Sequence, residues 1–416
     1  MSLLTASERF ELAVDVEHAR TVVDFALDAM ALPPSNESLR VTRVFPSGDG
    51  MCIQYVAERK SPGGPVRVIL CGFLPFEEDA FPDWAGQGTA FRMPGSGLVV
   101  PAFPFDPGLP ALRGMLSGEG LVAWLRECGV GVTDAGAVET KLLGYRLLRR
   151  CVLKHTVRGA DGRIERIVTK LVRPRRGGAM ASTWRALSGA GPADVRLPRL
   201  LAVNEASGAV GMEHVAGRSL HDCIGDVGFA DACEAAGEVL NALYARSVPN
   251  GLPARSAADE LRSLDRCGGL MARTCPADTG PVERLITRLK RFPPPTPVPR
   301  VAHGDFYDKQ LILSSGGMVM IDWDLACAGD PAMDAGNFLA HLELRELQHP
   351  AAGDGIEAGR LRLLATLAGC SEGERWWRAA SLTRLAVLYR WRPRWRHLFP
   401  AIVAKADEAL DRGGYR

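Results

Sequence analysis

The chain has 416 residues, 47% hydrophobic and 24% charged, and its 50 Lys and Arg against 48 Asp and Glu leave a net charge of +2. That is room for two lobes or about three domains around a sizeable core. The near-balance of charge excludes a dedicated nucleic-acid or membrane-surface protein, so neither partner is expected. No apolar run approaches the roughly 18 residues of a membrane span, and residues 1–20 carry Glu8, Glu11, Asp15 and Glu17 where a signal peptide would be basic and then apolar. Ten cysteines occur without one C-x-x-C pair. They read as reduced, mostly buried thiols, and a cytoplasmic location is predicted.

The spacing of Val14, Ala19, Val22, Val23, Ala26, Leu27 and Met30 predicts a helix that stops before Pro33-Pro34. A strand pair follows, 51–56 and 66–70, joined by the turn signal Ser61-Pro62-Gly63-Gly64. Residues 151–157 and 164–171 repeat the theme around Gly159-Ala160-Asp161-Gly162. At an offset of 99 residues Cys52 falls on Cys151, Arg59 on Arg158, Gly63 on Gly162 and Arg67 on Arg166. Either a β unit is duplicated or two hairpins merely share an alternating pattern. A duplication in that register puts Cys71 where Lys170 stands, and the first copy would lack the lysine's chemistry. The apolar, proline-rich run 99–107 suits a segment laid along another surface. From residue 216 the chain reads as helical except around 301–324. Ser219 and Asp222 form a capping box expected to open a helix, 229–246 and 257–271 are expected helices, and the prolines of 292–299 exclude one there. Leu382, Leu385 and Tyr389 share an apolar helix face near the end.

The stretch that carries chemistry is His303-Gly304-Asp305-Phe306-Tyr307-Asp308-Lys309-Gln310-Leu311-Ile312-Leu313, followed by Met318-Val319-Met320-Ile321-Asp322-Trp323-Asp324. An apolar strand after Gln310, a turn at Ser314-Ser315-Gly316-Gly317 and a second apolar strand ending at Asp322 make a hairpin. Such a hairpin gathers Asp305, Gln310, Asp322 and Asp324 at one mouth. Carboxylates and an amide oxygen held together suit Mg2+, which takes one or two carboxylates plus substrate phosphates. The remaining aspartate can accept a proton from an attacking hydroxyl or orient it.

Those two blocks, with Gly329-Asp330-Pro331-Ala332-Met333-Asp334 behind them, resemble the catalytic segment of aminoglycoside phosphotransferases and choline kinases: H-G-D-x-x-x-x-N, a short hairpin, I-D-[FW]-[ED] and G-D-P-x-x-D. The resemblance implies an α+β, protein-kinase-like two-lobed fold with ATP between the lobes. Its β-rich N-terminal lobe would be extended by an extra N-terminal α/β unit, and its C-terminal lobe would be mainly helical. The division expected is 1–133 as an extension packed on the nucleotide lobe, 134–215 as the β-rich nucleotide lobe and 216–416 as the helical catalytic and substrate lobe. By the same resemblance Asp305 is the catalytic base and Asp322 the principal Mg2+ ligand, with Asp324 and Gln310 beside it. The family's metal-binding asparagine is Gln310 here, one methylene longer, which asks for a shifted loop or a weaker second metal. His303 reads as a general base or, as in the family, a structural residue. Asp330 and Asp334 read as cap and loop brace, and Lys309 as a γ-phosphate contact or a solvated lysine.

Lys170 closes an alternating strand at the place where kinases put the lysine that pairs with ATP phosphates. From Arg146 to Arg176 there are 11 Lys and Arg against two Asp and Glu, which suits a polyphosphate or a solvated basic hairpin. No G-x-G-x-x-G precedes Lys170, and no acidic residue occurs between 171 and 193 to pair with it. Asp322 is therefore the alternative counter-ion. No G-x-x-x-x-G-K-[ST] occurs anywhere. Met212, Glu213 and Val215, with His214 among them, fit the hinge that offers backbone groups to adenine. The basic, aromatic run Tyr389-Arg-Trp-Arg-Pro-Arg-Trp-Arg disfavours a polycationic acceptor and suits an anionic or sugar-like one, unless it covers a helix end. The expected activity is ATP- and Mg2+-dependent phosphoryl transfer to a hydroxyl of a small molecule. A peptide or protein kinase and a nucleotide-binding pseudokinase are the alternatives.

Overall fold

The computed structural model describes residues 4–29, 38–59, 66–77, 82–86, 90–93, 95–159, 162–188, 195–367 and 373–412. Pro33-Pro34, the turn at 61–64, Ala160-Asp161 and Cys370 lie outside them. Helices α1 (Ala6–Val14) and α2 (Val16–Ala29) come first, and α1 starts at a reciprocal capping box between Thr5 and Glu8. The strands β1 (Ser38–Ser47), β2 (Gly50–Arg59), β3 (Val66–Pro75), β4 (Ala90–Arg92) and β5 (Val99–Pro101) follow. They form an antiparallel sheet in the order β1-β2-β3-β5-β4.

After helix α3 (Gly118–Glu127) a second sheet repeats that order. Strands β6 (Val138–Arg146), β7 (Arg150–Arg158), β8 (Ile164–Val172), β9 (Leu200–Asn204) and β10 (Ala209–Glu213) pair as β6-β7-β8-β10-β9, with helix α4 (Pro174–Ser188) inserted after the third strand. The expected equivalence of Cys71 and Lys170 does not hold, and the reason is register. Arg59 pairs with Val66 but Arg158 with Ile164, so the first hairpin is one residue longer between its strands. Cys52 pairs with Phe73 as Cys151 pairs with Leu171, and all four are buried between the sheets. Gly72 therefore stands where Lys170 does, and a Cβ there would lie 2.7 Å from Leu98. A one-residue slip sends every side chain to the other face.

The C-terminal part begins with β11 (Arg218–Ser219) and helices α5 (Phe229–Tyr244), α6 (Ala257–Thr274) and α7 (Thr279–Arg291). Ser219 does accept from the Asp222 N–H at 3.2 Å, yet it opens only one 3-10 turn, because Ile224 is extended and Gly225 has φ +94°. Strands β12 (Arg300–Ala302), β13 (Leu311–Ser314), β14 (Gly317–Met320) and β15 (Cys327–Gly329) follow, β13 pairing with β14 in the expected hairpin and β12 with β15. Helices α8 (Pro331–Gln348), α9 (Gly353–Thr366), α10 (Glu374–Arg390) and α11 (Phe399–Arg412) complete the chain.

Apolar burial ties these parts together. Phe45, Cys52 and Phe73 of the first sheet pack with Tyr145, Cys151 and Leu171 of the second. Phe10, Val22 and Tyr55 belong to one cluster with Met271, Trp376, Trp391 and Leu382 of the helical part. The first 101 residues therefore touch both the second sheet and the helices. Among the described residues no cysteine is bridged and all but Cys267 are buried. No described helix is long and apolar enough to cross a membrane.

Candidate active site

The hairpin β13–β14 brings its ends together as its sequence requires. Before it, Gly304 has φ +78° and a Cβ there would come within 2.1 Å of the Leu325 carbonyl, so this turn needs glycine. Asp334, in the first turn of α8, braces the same turn by accepting from the backbone N–H groups of His303 at 2.6 Å and Gly304 at 2.8 Å. The His303 ring is fully buried against Trp323 with Nε2 2.9 Å from the Ile321 carbonyl, a setting that suits a structural residue. Asp330 caps α8 through the Ala332 N–H at 2.8 Å and accepts from Trp377 Nε1 at 2.7 Å.

Past β14, Asp322 takes left-handed backbone, φ +65°, a conformation Asp tolerates better than most residues. The turn aims Asp322 and Asp324 at Lys170 on β8. The Lys170 ammonium donates to Asp322 Oδ1 and lies 2.5 Å from Asp324 Oδ2. Arg150 adds a guanidinium 3.3 Å from Asp322 Oδ2 and 3.9 Å from Asp324 Oδ2. Burial raises the Asp322 carboxyl, but Lys170 and then Arg150 outweigh it and hold the group well below the usual carboxylate range. Helix α4 contributes no acid to Lys170, and the two aspartates take that place. Gln310 points its Nε2 at Asp322 Oδ2 from 3.5 Å, so a half-turn of the amide would present its oxygen there.

Asp305 stands apart from this cluster and is half-buried. Burial and then the negative charge of Asp322 raise its carboxyl to about 6, against the pull of Arg384, Arg150 and Arg146. Asp308 has a different task. It is fully buried and clamped by Arg345 at 2.9 and 3.1 Å and by His221 at 2.6 Å, which fixes the loop. Lys309 is exposed beside it.

Three cavities meet at these groups. One of about 330 Å³ is lined by Lys170, Met212, Glu213, Val215, Gln310, Asp322 and Asp324, with Leu143, Val168 and Trp184 as apolar walls. The next, about 340 Å³, shares Asp322 and Asp324 with the first and adds Arg146, Arg149, Arg176 and Asp305. The third, about 550 Å³, shares Asp305, Tyr307 and Arg146 with the second and reaches Tyr389, Arg392 and Arg394. Every site residue expected from the sequence lines one of them. Trp376 and Trp377 are core, with their indole N–H groups donating to the Leu289 carbonyl and to Asp330. Half of the basic run does cover a helix end, since Arg390 and Arg396 pair with Asp278 and Glu11.

Sequence reading named none of Arg43, Arg149 and Arg150, and Arg146 only as the start of a basic stretch. The excess of charge from residue 146 signalled all but Arg43, which lies on β1. Arg146 ends β6, Arg150 opens β7 and Arg149 lies in the turn between them. That turn is held in shape by Asp106, which accepts from Leu148 N at 3.0 Å and Tyr145 Oη at 2.9 Å, and Leu148 takes φ +61°.

The model of the phosphotransferase enzyme family, APH, matches residues 153–372, more than half of the chain. The chain belongs to this family. Within it, the β-rich lobe followed by a helical lobe is the protein-kinase-like arrangement. No curated protein sequence matches the chain. Among solved structures it is similar to a choline/ethanolamine kinase family protein from Mesorhizobium loti, with 14% identity, 70% of this chain and 94% of that one covered, and a TM-score of 0.46. It is likewise similar to choline kinase from Cryptosporidium parvum Iowa II, with 11% identity, 71% and 97% covered, and a TM-score of 0.49. An amicoumacin kinase in complex with AMP-PNP, Ca2+ and Ami gives 10% identity, 70% and 94% covered, and a TM-score of 0.49. Against the family's H-G-D-x-x-x-x-N pattern this phosphotransferase has Gln310 for asparagine.

Proposed function

We propose that this phosphotransferase moves the γ-phosphoryl group of ATP to a hydroxyl of a small molecule. The observation that carries the reading is the order of the three cavities: apolar walls and the 212–215 strand end, then Lys170 with Asp322 and Asp324, then Asp305. Adenine would lie against Leu143, Val168 and Trp184, with the backbone of Met212, Glu213 and Val215 at its edge. Lys170 and Arg150, now neutralised by the aspartates, would turn to the phosphates when these arrive. Asp322 and Asp324, with the Gln310 amide turned to present its oxygen, would form an all-oxygen donor set with two carboxylates, which fits a hard divalent cation such as Mg2+. Bound there, Mg2+ would neutralise charge on the transferred group. Asp305 faces the second and third cavities at once, so a hydroxyl held in the third can hand its proton to Asp305 Oδ as its oxygen attacks the phosphorus. The bond to the departing ADP oxygen then breaks and the phosphoryl group stays on the acceptor.

The test is Asp305→Asn, assayed for transfer of labelled γ-phosphate from ATP to a panel of alcohols, sugars, amino alcohols, hydroxy acids and peptides. Turnover on the best acceptor should fall by about two orders of magnitude or more, with ATP affinity kept within a few fold. Equal loss of both would make Asp305 a structural residue or a metal ligand and sink its assignment as base.

A further inference from the structure

The third cavity has a charge that its own protein does not balance. Seven of its lining side chains are Arg or Lys, and Asp305 is its one carboxylate among the described residues. Arg345 and Arg384 are accounted for by Asp308 and Glu260. The side chains of Arg43, Arg146 and Lys309 make no hydrogen bond or ion pair among the described residues. Arg392 lies over the Tyr389 ring at 4.5 Å with its Nε buried and unpartnered among them. Burial, and after it the charges of Arg150, Arg43 and Arg149, work against the positive form of Arg146. Like charges kept together without a counter-ion are costly unless a ligand supplies one.

Arg43 comes from the first sheet, and its delivery is built. The register of β1 against β2 shifts between Val41 and Arg43, so Thr42 is an extra residue. Bulges of this kind re-aim side chains, and here both Thr42 and Arg43 line the cavity. The Thr42 hydroxyl bonds the Gln54 carbonyl at 3.3 Å and its Oε1 at 3.1 Å, and Gln54 Nε2 crosses to the Tyr145 carbonyl at 3.0 Å. That chain of bonds fixes Arg43 relative to Tyr145 and the adjacent Arg146.

We infer that the acceptor of this enzyme carries an oxyanion, a phosphate or carboxylate, beside the hydroxyl it phosphorylates, and that Arg43 of the N-terminal unit, with Arg146, Lys309 and Arg392, receives it. This inference rests on the phosphotransfer reading above and narrows its acceptor. Guanidinium groups match such anions in geometry as well as charge.

The experiment uses the full chain loaded with Mg2+ and AMP-PNP, so that nucleotide phosphates already fill the Arg150 end. Calorimetry then compares glycerol 3-phosphate, glycerate, glycerol, choline, and glycerol with equimolar inorganic phosphate. The two anionic alcohols should bind at least about tenfold more tightly than glycerol or choline. Arg43→Ala should weaken them by about tenfold while AMP-PNP affinity stays the same. Added inorganic phosphate should not make glycerol bind as they do, because the anion belongs to the acceptor. Choline or glycerol binding as tightly, neither anionic alcohol binding, phosphate rescuing glycerol fully, or an Arg43→Ala variant without effect would each overturn the inference. AMP-PNP binding is read separately: its failure overturns the phosphotransfer reading and this inference with it, whereas nucleotide binding with the wrong acceptor charge overturns this inference alone.

Discussion

A proton acceptor for an alcohol must be ionised at working pH yet hold a proton firmly enough to take one, and the surroundings of Asp305 serve both needs. Burial and Asp322 push its carboxyl up to about 6, while three arginines limit the rise. The base works deprotonated, so kcat/KM for the acceptor should be level above about pH 7 and fall as pH drops through 6, approaching tenfold per unit. A profile flat down to pH 5, or one that rises toward acid, would remove Asp305 from that role. Much of this site was legible at the level of residues. Asp305, Gln310, Asp322 and Asp324 were readable because two short apolar strands around Ser314-Ser315-Gly316-Gly317 can only fold back on themselves. Asp322 as an alternative partner of Lys170 followed from the lack of any acid between 171 and 193, whereas the share taken by Asp324 came only with the structure. Arg43 was not readable: its place depends on a bulge, a cross-sheet bond from Gln54 and a sheet-to-sheet contact, none of which leaves a mark in the order of residues.

Among elements, alternating strands and helices were the plainest to read, and Asp330, read as a cap, does open α8 with Pro331 behind it. Register was not. A one-residue difference between 60–65 and 159–163 moved Cys71 to the inter-sheet face and put Gly72 opposite Lys170's place, although the echo of Cys52 and Cys151 had been visible. The capping box at Ser219 shows another limit, because a cap can start a turn that Gly225 ends. Elements α1, α2 and β1–β5 bury one set of apolar side chains against the second sheet and another against α6, α7 and α10. We therefore propose that residues 1–133 are an integral brace across both lobes. Their removal should expose those faces and yield an insoluble or much less stable remainder. Limited proteolysis checks this: the full chain should resist cleavage between 110 and 140, and release of two stable, soluble pieces would speak for an autonomous domain.

Over the whole molecule, a net charge of +2 conceals a strong separation. Cations line the second and third cavities, and the acids that balance them pair elsewhere, as Glu11 and Asp278 do with Arg390. Composition excludes classes of partner by totals, and totals are blind to such placement. The two-lobed fold was legible through one segment of some forty residues, 303–344, whereas the N-terminal sheet was expected only as an extra α/β unit with one strand pair, and its five-stranded order came from the pairing. The account stands on the cleft between the lobes taking Mg-ATP at Lys170, Asp322 and Asp324. The most direct test is calorimetric titration of ATP into the full chain and into Asp322→Ala, each with and without Mg2+. The account predicts that Mg2+ tightens ATP binding to the native chain by about tenfold or more and that Asp322→Ala loses this gain together with phosphoryl transfer. The same Mg2+ enhancement and turnover in Asp322→Ala as in the native chain would contradict it.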